Sequence, residues 1–167
     1  MRNSLRRGDT CPLLIKKKIE VLRKIQRGLV IRGHIPKIDH LKYFILVGIS
    51  KDSKTAYNLL INSEPSVLII TNPTIRNLEV EILPGTYQFL KKPTPSYINC
   101  LKYYKVDSFD LINGLIDNPS KICGYLTPKH LWQVVQAVEN NRSFNSEERN
   151  IVTVPLILPS RLCPAIR

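Results

Sequence analysis

The strongest constraint on the fold is a succession of short apolar segments between residues 28 and 104, separated by polar residues, glycines and prolines. Most of these segments are too short for helices, and they are rich in the β-branched and aromatic residues that strands favour. Strands of this length, at this regular spacing, predict a small barrel or sandwich. The predicted strands are 27–35, 43–49, 56–61, 67–71, 78–83, 87–90 and 97–104.

Helical patterns lie outside this block, so the predicted class is α+β. A helix over 12–27 places Ile15, Ile19, Leu22 and Ile25 on one face and lysines and arginines on the rest. The segment 108–116 is predicted to be a helix with Ser108 as its N-cap. The clearest helix is 127–140, with Thr127 as N-cap and Pro128 in its first position. A last helical turn is predicted from Ser146 onward.

The length of 167 residues favours one domain with additional segments at its ends. We predict a basic arm and helix over 1–27, a barrel domain over 28–150, and an apolar tail with three prolines over 151–167. Such a tail either finds a groove, binds a partner chain or stays disordered. Cys100 and Cys123 are predicted in the core, and His130 at the surface or its boundary.

The net charge is +12, and it is concentrated near the N-terminus. Residues 1–42 contain 12 basic and 3 acidic residues, whereas residues 43–167 contain 13 and 10. This asymmetry favours an anionic partner, of which nucleic acid is the commonest. The alternative is a solvated basic surface that keeps the protein in solution.

Several classes of protein are excluded at this stage. No apolar run approaches the roughly 20 residues that cross a bilayer, and no apolar segment follows the basic N-terminus as in a signal peptide. We therefore expect a cytoplasmic protein with no membrane contact and reduced cysteines. The four cysteines lack zinc-site spacing, and no nucleotide-binding or metalloprotease motif is present, so neither a metal nor a cofactor is expected.

The order of five segments resembles the PemK/MazF family. Four of them are R-G-L-V-I-R-G-H-I-P (27–36), L-K-Y-F-I-L-V-G-I-S (41–50), L-L-I-N-S (59–63) and G-Y-L-T-P-K-H-L-W-Q-V-V-Q-A-V (124–138). The fifth is 90–107, in which a lysine, a short turn and a strand lead to V-D. The resemblance covers roughly residues 27–142. It implies a small SH3-like antiparallel β-barrel with appended helices, usually dimeric. The basic helix over 12–27 and the tail over 151–167 lie outside the family core. The predicted fold is therefore such a barrel with an N-terminal basic helix and C-terminal helices. The resemblance also implies a metal-independent endoribonuclease toxin, neutralised by an acidic antitoxin whose segment fills the RNA groove.

The resemblance also places the catalytic residues. Lys42 stands where the family has its catalytic arginine, and Tyr43 stands where it has the following proline. Asn62, followed by Ser63, stands where the family has a catalytic threonine. Lysine stabilises phosphate charge without the bidentate fork of arginine, and asparagine donates a hydrogen bond but has no hydroxyl.

The leading hypothesis is a divergent, metal-independent endoribonuclease that cleaves single-stranded RNA by attack of the 2′-hydroxyl. Such a reaction requires a base, an acid and cations for the phosphorane charge. Its predicted catalytic residues are Lys42, His40, Asn62 and Ser63. The predicted RNA-binding residues are Lys37, Lys91, Lys92, Ser96, Tyr97, Lys16, Lys17 and Arg23.

Two alternatives stay open. The first is a nucleic-acid-binding barrel that does not cleave, in which tyrosines stack on bases. The second is an interaction module, in which the tail and the basic helix dock an acidic antitoxin or a second copy in a homodimer.

Overall fold

The computed structural model describes residues 12–34, 40–156 and 158. Two 3₁₀ turns, Pro73–Leu78 and Pro119–Lys121, connect some of the longer elements. The helices and strands follow the order α1 (Pro12–Lys24), β1 (Leu29–Gly33), β2 (Lys42–Ile49), β3 (Thr55–Asn62), α2 (Val67–Thr71), β4 (Glu79–Ile82), β5 (Ser96–Asp107), α3 (Ser108–Asp117), β6 (Ile122–Tyr125), α4 (Pro128–Glu139) and α5 (Ser146–Asn150).

The predicted α+β class is confirmed, and the strands form one curled antiparallel sheet. Its six strands have the order β4-β5-β3-β2-β1-β6. The long strand β5 pairs with β3 along most of its length, and its first four residues also pair with β4. The six-stranded sheet is curled into a half-barrel.

Both faces of the sheet are buried, which explains why its central strands have nearly continuous apolar sequences. On one face, Ile45 and Val47 of β2 belong to a core that includes Val134 and Val138 of α4. On the other face, Phe44 and Leu46 belong to a core completed by residues of α1 and α3. Alternation along β2 therefore sends successive side chains into two different cores.

The caps of two helices show how local chemistry sets their starts. Thr127 accepts a hydrogen bond from the backbone N–H of His130, and Pro128 occupies the first position of α4, as predicted. The predicted N-cap of α3 is wrong, because Asp107 caps it by accepting from the N–H of Asp110. Ser108 is fully buried instead, and its hydroxyl donates to the carbonyl of Ser53.

Two predicted strands are absent. Residues 67–71 form the short helix α2, bounded by Ser66 and by Asn72, which caps the next turn. The position beside β3 that such a strand would need is already taken by β5. Residues 87–90 form a turn closed by the N–H of Leu90 on the carbonyl of Tyr87. Conversely, β6 is not among the predicted strands; it is four residues long and includes Gly124 at φ +146°.

The start of the tail packs on the domain. Ile151 and Val152 are buried, and Ile151 lies directly over Gly48 of β2. The Arg27 guanidinium donates to the carbonyl of Val47 at 2.9 Å and to the carbonyl of Val154. Arg27 thereby joins the turn before β1, strand β2 and the segment after α5. Of the three outcomes left open for the predicted tail, packing against the domain is the one seen for residues 151–154.

His130 is buried, contrary to the prediction of a surface position. Its Nδ1 lies 2.7 Å from the hydroxyl of Tyr87, and that hydroxyl accepts from the N–H of Thr127 at 2.9 Å. The hydroxyl hydrogen of Tyr87 is then available to a neutral imidazole. Burial, with a smaller contribution from Lys129, lowers the pKa of His130 below 6.5.

We expect His130 to make the fold less stable in acid. Because its folded pKa lies below the unfolded one, the unfolded chain binds more protons in the interval between them. Stability is therefore lost as the pH falls below about 6.5, and the loss stops growing below the folded pKa. Urea unfolding of the wild type and of His130→Phe, between about pH 7.5 and about pH 5, measures this. Parallel pH profiles for the two proteins would contradict it.

None of the helices in the described part of the chain is long and apolar enough to cross a bilayer.

Candidate functional site

Several predicted site residues meet at one edge of the sheet. In an antiparallel sheet, the last residues of one strand lie beside the first residues of its neighbour, at the same edge of the sheet. Here β1 ends opposite the start of β2, β3 ends opposite the start of β5, and Tyr43 of β2 pairs with Ile61 of β3. Residues distant in sequence therefore become neighbours, and the loop that leads into β5 lies beside them.

This edge contains an open cleft of about 430 Å³, which we call the edge cleft. All four predicted catalytic residues line it, and so do three of the predicted RNA-binding residues. The described residues that line it are Arg32, His40, Leu41, Lys42, Tyr43, Ile61, Asn62, Ser63, Phe89, Leu90, Lys91, Lys92 and Ser96. Lys42 precedes Tyr43 and Asn62 follows Ile61, so both lie at the end of the same strand pair.

Other predicted binding residues lie elsewhere. Tyr97 lines a different pocket, beside α2 and β4, because adjacent residues of a strand point to opposite faces and Ser96 takes the cleft side. Lys16, Lys17 and Arg23 lie on α1, which packs against α3. Lys17 donates to the carbonyl of Asp117 at 3.2 Å. Lys37 lies outside the described residues.

The edge cleft has a strong positive bias. Arg32, Lys42, Lys91 and Lys92 line it together with His40, and its described lining contains no aspartate or glutamate. The three lysines form no ion pair with a carboxylate among the residues that the structure describes. These cations therefore remain available to an anionic ligand, and their fields add within one concave surface.

An aromatic wall supports one side of the edge cleft. The Tyr43 and Phe89 rings lie 5.4 Å apart, and Phe89 stacks on Tyr87 at 5.1 Å. The Tyr43 hydroxyl donates to the carbonyl of Phe89 at 3.0 Å, which ties the lysine-bearing loop to β2. This arrangement fixes the backbone just before Lys91 and Lys92.

Arg32 is the cleft cation that sequence reasoning missed. Its guanidinium lies 5.8 Å from the centre of the Tyr43 ring, within the range of a cation–π contact. Arg32 is the only exposed residue of β1, in a strand whose other four residues are buried. The sequence signal that could have identified Arg32 is a charged residue inside an otherwise apolar strand.

Cys123 is the cysteine that lies beside the cleft residue Arg32. Cys123 of β6 is half-buried near Arg32 of the neighbouring strand. Burial raises the pKa of its thiol, and Arg32 offsets this only partly. Cys100, by contrast, is fully buried in the core as predicted, whereas Cys123 is only partly so.

The described residues contain no group of three or more His, Cys, Asp or Glu side chains placed to hold a metal ion. The described lining of the edge cleft offers cations, one imidazole, an amide and hydroxyl groups.

Comparisons with known proteins give no relative: no family model, curated protein or solved structure matches this chain.

Proposed function

We propose that this protein is a metal-independent endoribonuclease that holds single-stranded RNA in the edge cleft. The observation that carries the proposal is the convergence of Lys42, Lys91, Lys92 and Arg32 in a cleft whose described lining has no carboxylate. A phosphodiester backbone is the polyanion that such a surface suits. The resemblance of the ordered segments to the PemK/MazF family supports RNA as the substrate and an SH3-like barrel as the fold.

The proposed reaction uses the RNA's own 2′-hydroxyl as nucleophile. His40 accepts the 2′-hydroxyl proton while the 2′-oxygen attacks phosphorus and the bond to the 5′-oxygen breaks. Lys42 stabilises the phosphorane charge and supplies the proton to the leaving 5′-oxygen. Asn62 and Ser63 orient the phosphate, and Lys91 and Lys92 hold the flanking backbone. The products are a 2′,3′-cyclic phosphate and a 5′-hydroxyl.

A second candidate is RNA binding without cleavage. One observation favours it: His40 is the only imidazole in the described lining of the edge cleft. A lysine, with an ordinary pKa of about 10.4, serves as an acid at neutral pH but is a poor base. If His40 does not act as the base, the same cations still bind RNA.

Incubation of a long mixed-sequence RNA with the protein in EDTA separates the two candidates. Discrete fragments with cyclic-phosphate ends are expected, with a loss of rate on the order of 10² or more in His40→Ala and in Lys42→Ala. His34→Ala is the matched control, because His34 does not line the edge cleft. RNA that stays intact but shifts on a gel at low salt would leave the binding candidate. RNA that neither breaks nor shifts would contradict both.

The proposal extends to partners. A peptide rich in aspartate and glutamate presents the same negative charge as RNA, so an acidic antitoxin segment is proposed to compete for the edge cleft. On the same resemblance we propose that the protein forms a homodimer. Competition between RNA and a synthetic acidic peptide, and the mass of the protein in solution, test these two points.

A further inference from the structure

The first turn of α1 exposes three consecutive apolar side chains. Leu13 is 76% exposed, Leu14 54% and Ile15 40%. Leu14 continues the side of α1 on which Val21 and Ile25 lie, because residues seven and eleven positions apart fall on one face of a helix. Val21 and Ile25 are buried in the core, whereas Leu14 is not. The helix therefore projects from the domain at its start, and we call residues 13–15 the α1 tip.

The contact of α1 with α3 shows where this projection begins. The two helices pack against each other, and the Lys17 Nζ donates at 3.2 Å to the carbonyl of Asp117, the last residue of α3. The α1 tip precedes this contact in the chain. The packing that buries the later part of α1 thus leaves its first turn uncovered.

Positive charge follows the α1 tip directly. Lys16, Lys17 and Lys18 are the next three residues, and the first turn contains no acidic residue. The helix has five basic residues and one acidic residue, Glu20, which pairs with Lys24 at 2.9 Å. Glu20 therefore does not neutralise the three lysines beside the tip. A partner that suits this end of α1 must offer an apolar environment and negative charge together.

The shape of the α1 tip selects among such partners. Successive residues of a helix are about 100° apart, so Leu13 and Ile15 lie on nearly opposite sides. A groove in a protein covers one side of a helix, through anchors spaced three or four residues apart. The RNA backbone would neutralise the lysines but would leave the leucines in water. A second copy of α1 would bring like charges together.

We propose that the α1 tip binds the surface of a bilayer that contains anionic lipids. Such a surface surrounds the tip, so residues 13–15 all enter the boundary between headgroups and acyl chains. The adjacent lysines reach the headgroup phosphates. The sequence-based expectation of no membrane contact rested on the absence of a spanning segment, and a helix that binds at the surface needs none. This proposal does not rest on RNA cleavage, because other residues line the edge cleft.

Cosedimentation of the full chain with lipid vesicles tests the proposal. One set of vesicles contains phosphatidylcholine mixed with phosphatidylglycerol, and the other contains phosphatidylcholine alone. We expect at least about tenfold stronger binding to the mixed vesicles, because each lysine near an anionic surface adds to the affinity. Equal binding to both sets, or binding to neither, would overturn the proposal.

A pair of matched variants tests whether the apolar side chains enter the bilayer. The variant with Leu13→Ser and Leu14→Ser should bind the mixed vesicles about tenfold more weakly, because less apolar area is buried at the interface. The control carries Val67→Ser and Leu68→Ser, which alter side chains 72% and 62% exposed in α2, a helix with no basic residue. This control should bind like the wild type, and circular dichroism checks that both variants are folded.

A third variant tests the charge. Lys16→Gln with Lys18→Gln leaves the Lys17 contact with α3 intact and should weaken binding to the mixed vesicles at least about tenfold. If this variant loses binding but the Leu13 and Leu14 variant does not, the protein adsorbs through charge alone and the proposed insertion is wrong. A loss of binding in the α2 control equal to that in the leucine variant would likewise contradict it.

Discussion

Replacing Lys42, Lys91 and Lys92 together with glutamine is expected to weaken binding of single-stranded RNA by about 10²–10³-fold near 50 mM salt. Each lysine that neutralises a phosphate releases counterions, so each loss removes about 0.7 from the log–log salt slope. The slope of the triple variant should therefore fall by about 2. The measurement is a fluorescence titration of a labelled RNA oligonucleotide at several salt concentrations.

A matched control uses lysines at a different edge of the sheet. Lys51 and Lys54 lie in the β2–β3 turn and do not line the edge cleft. Their replacement by glutamine changes the net charge but should leave the slope nearly intact. A third protein, with Lys16, Lys17 and Arg23 changed to glutamine, tests α1. If α1 rather than the edge cleft carries the salt dependence, the proposed site is wrong.

The second large effect is a loss of stability when Gly48 gains a single methyl group. In Gly48→Ala the new Cβ would lie 2.6 Å from the carbonyl oxygen of Ile151 and 2.8 Å from its Cγ1. The carbonyl belongs to the backbone of a buried segment, so the clash cannot be relieved by rotating a side chain. We expect a loss of about 1–3 kcal/mol or more in the free energy of unfolding, because overpacking a closed core displaces backbone. The corresponding fall in melting temperature is about 2–12 °C for a chain of this length.

Gly114→Ala is the control for this prediction. Its Cβ meets nothing closer than 3.9 Å, and it replaces a glycine inside a helix. That change is expected to stabilise the protein by about 0.5–1 kcal/mol. Calorimetry of both variants measures the difference. A Gly48→Ala protein as stable as the wild type would mean that residues 151–154 do not lie over β2 in solution.

The parts of the fold that were predictable are those in which local sequence and tertiary packing agree. Strands β2 and β3 have apolar runs that fit a sheet buried on both faces, and α4 has a cap, a proline and an apolar stripe. Residues 67–71 have β-branched side chains but become a helix, because no sheet edge beside β3 is open to them. Pairing between strands that are distant in sequence decides that outcome, and a five-residue segment contains no sequence pattern that indicates it.

The edge cleft was predictable only in part. His40, Lys42, Asn62 and Ser63 do meet in one cleft, although their chemistry stays a prediction. Tyr97 was misplaced because the prediction ignored the alternation that puts Ser96, and not its neighbour, on the cleft side. Arg32 was missed because its role depends on the Tyr43 ring across the β1–β2 pair. The buried amide of Asn58 lies at a register shift between β3 and β5 that no sequence pattern predicts.

The hydrogen bonds of Arg27, which join β2 to the segment after α5, have a consequence for folding during synthesis. The Arg27 guanidinium also donates to the carbonyl of Ile151 at 3.5 Å, 124 residues further along the chain, and β1 pairs on its outer side with β6. Strands β1–β3 can pair as soon as they leave the ribosome, but the surface of β2 around Gly48 stays uncovered until residues 151–154 emerge. At about 5–20 residues per second this interval lasts roughly 5–20 s. The nascent chain therefore presents an apolar sheet to chaperones before its own last segment can cover it.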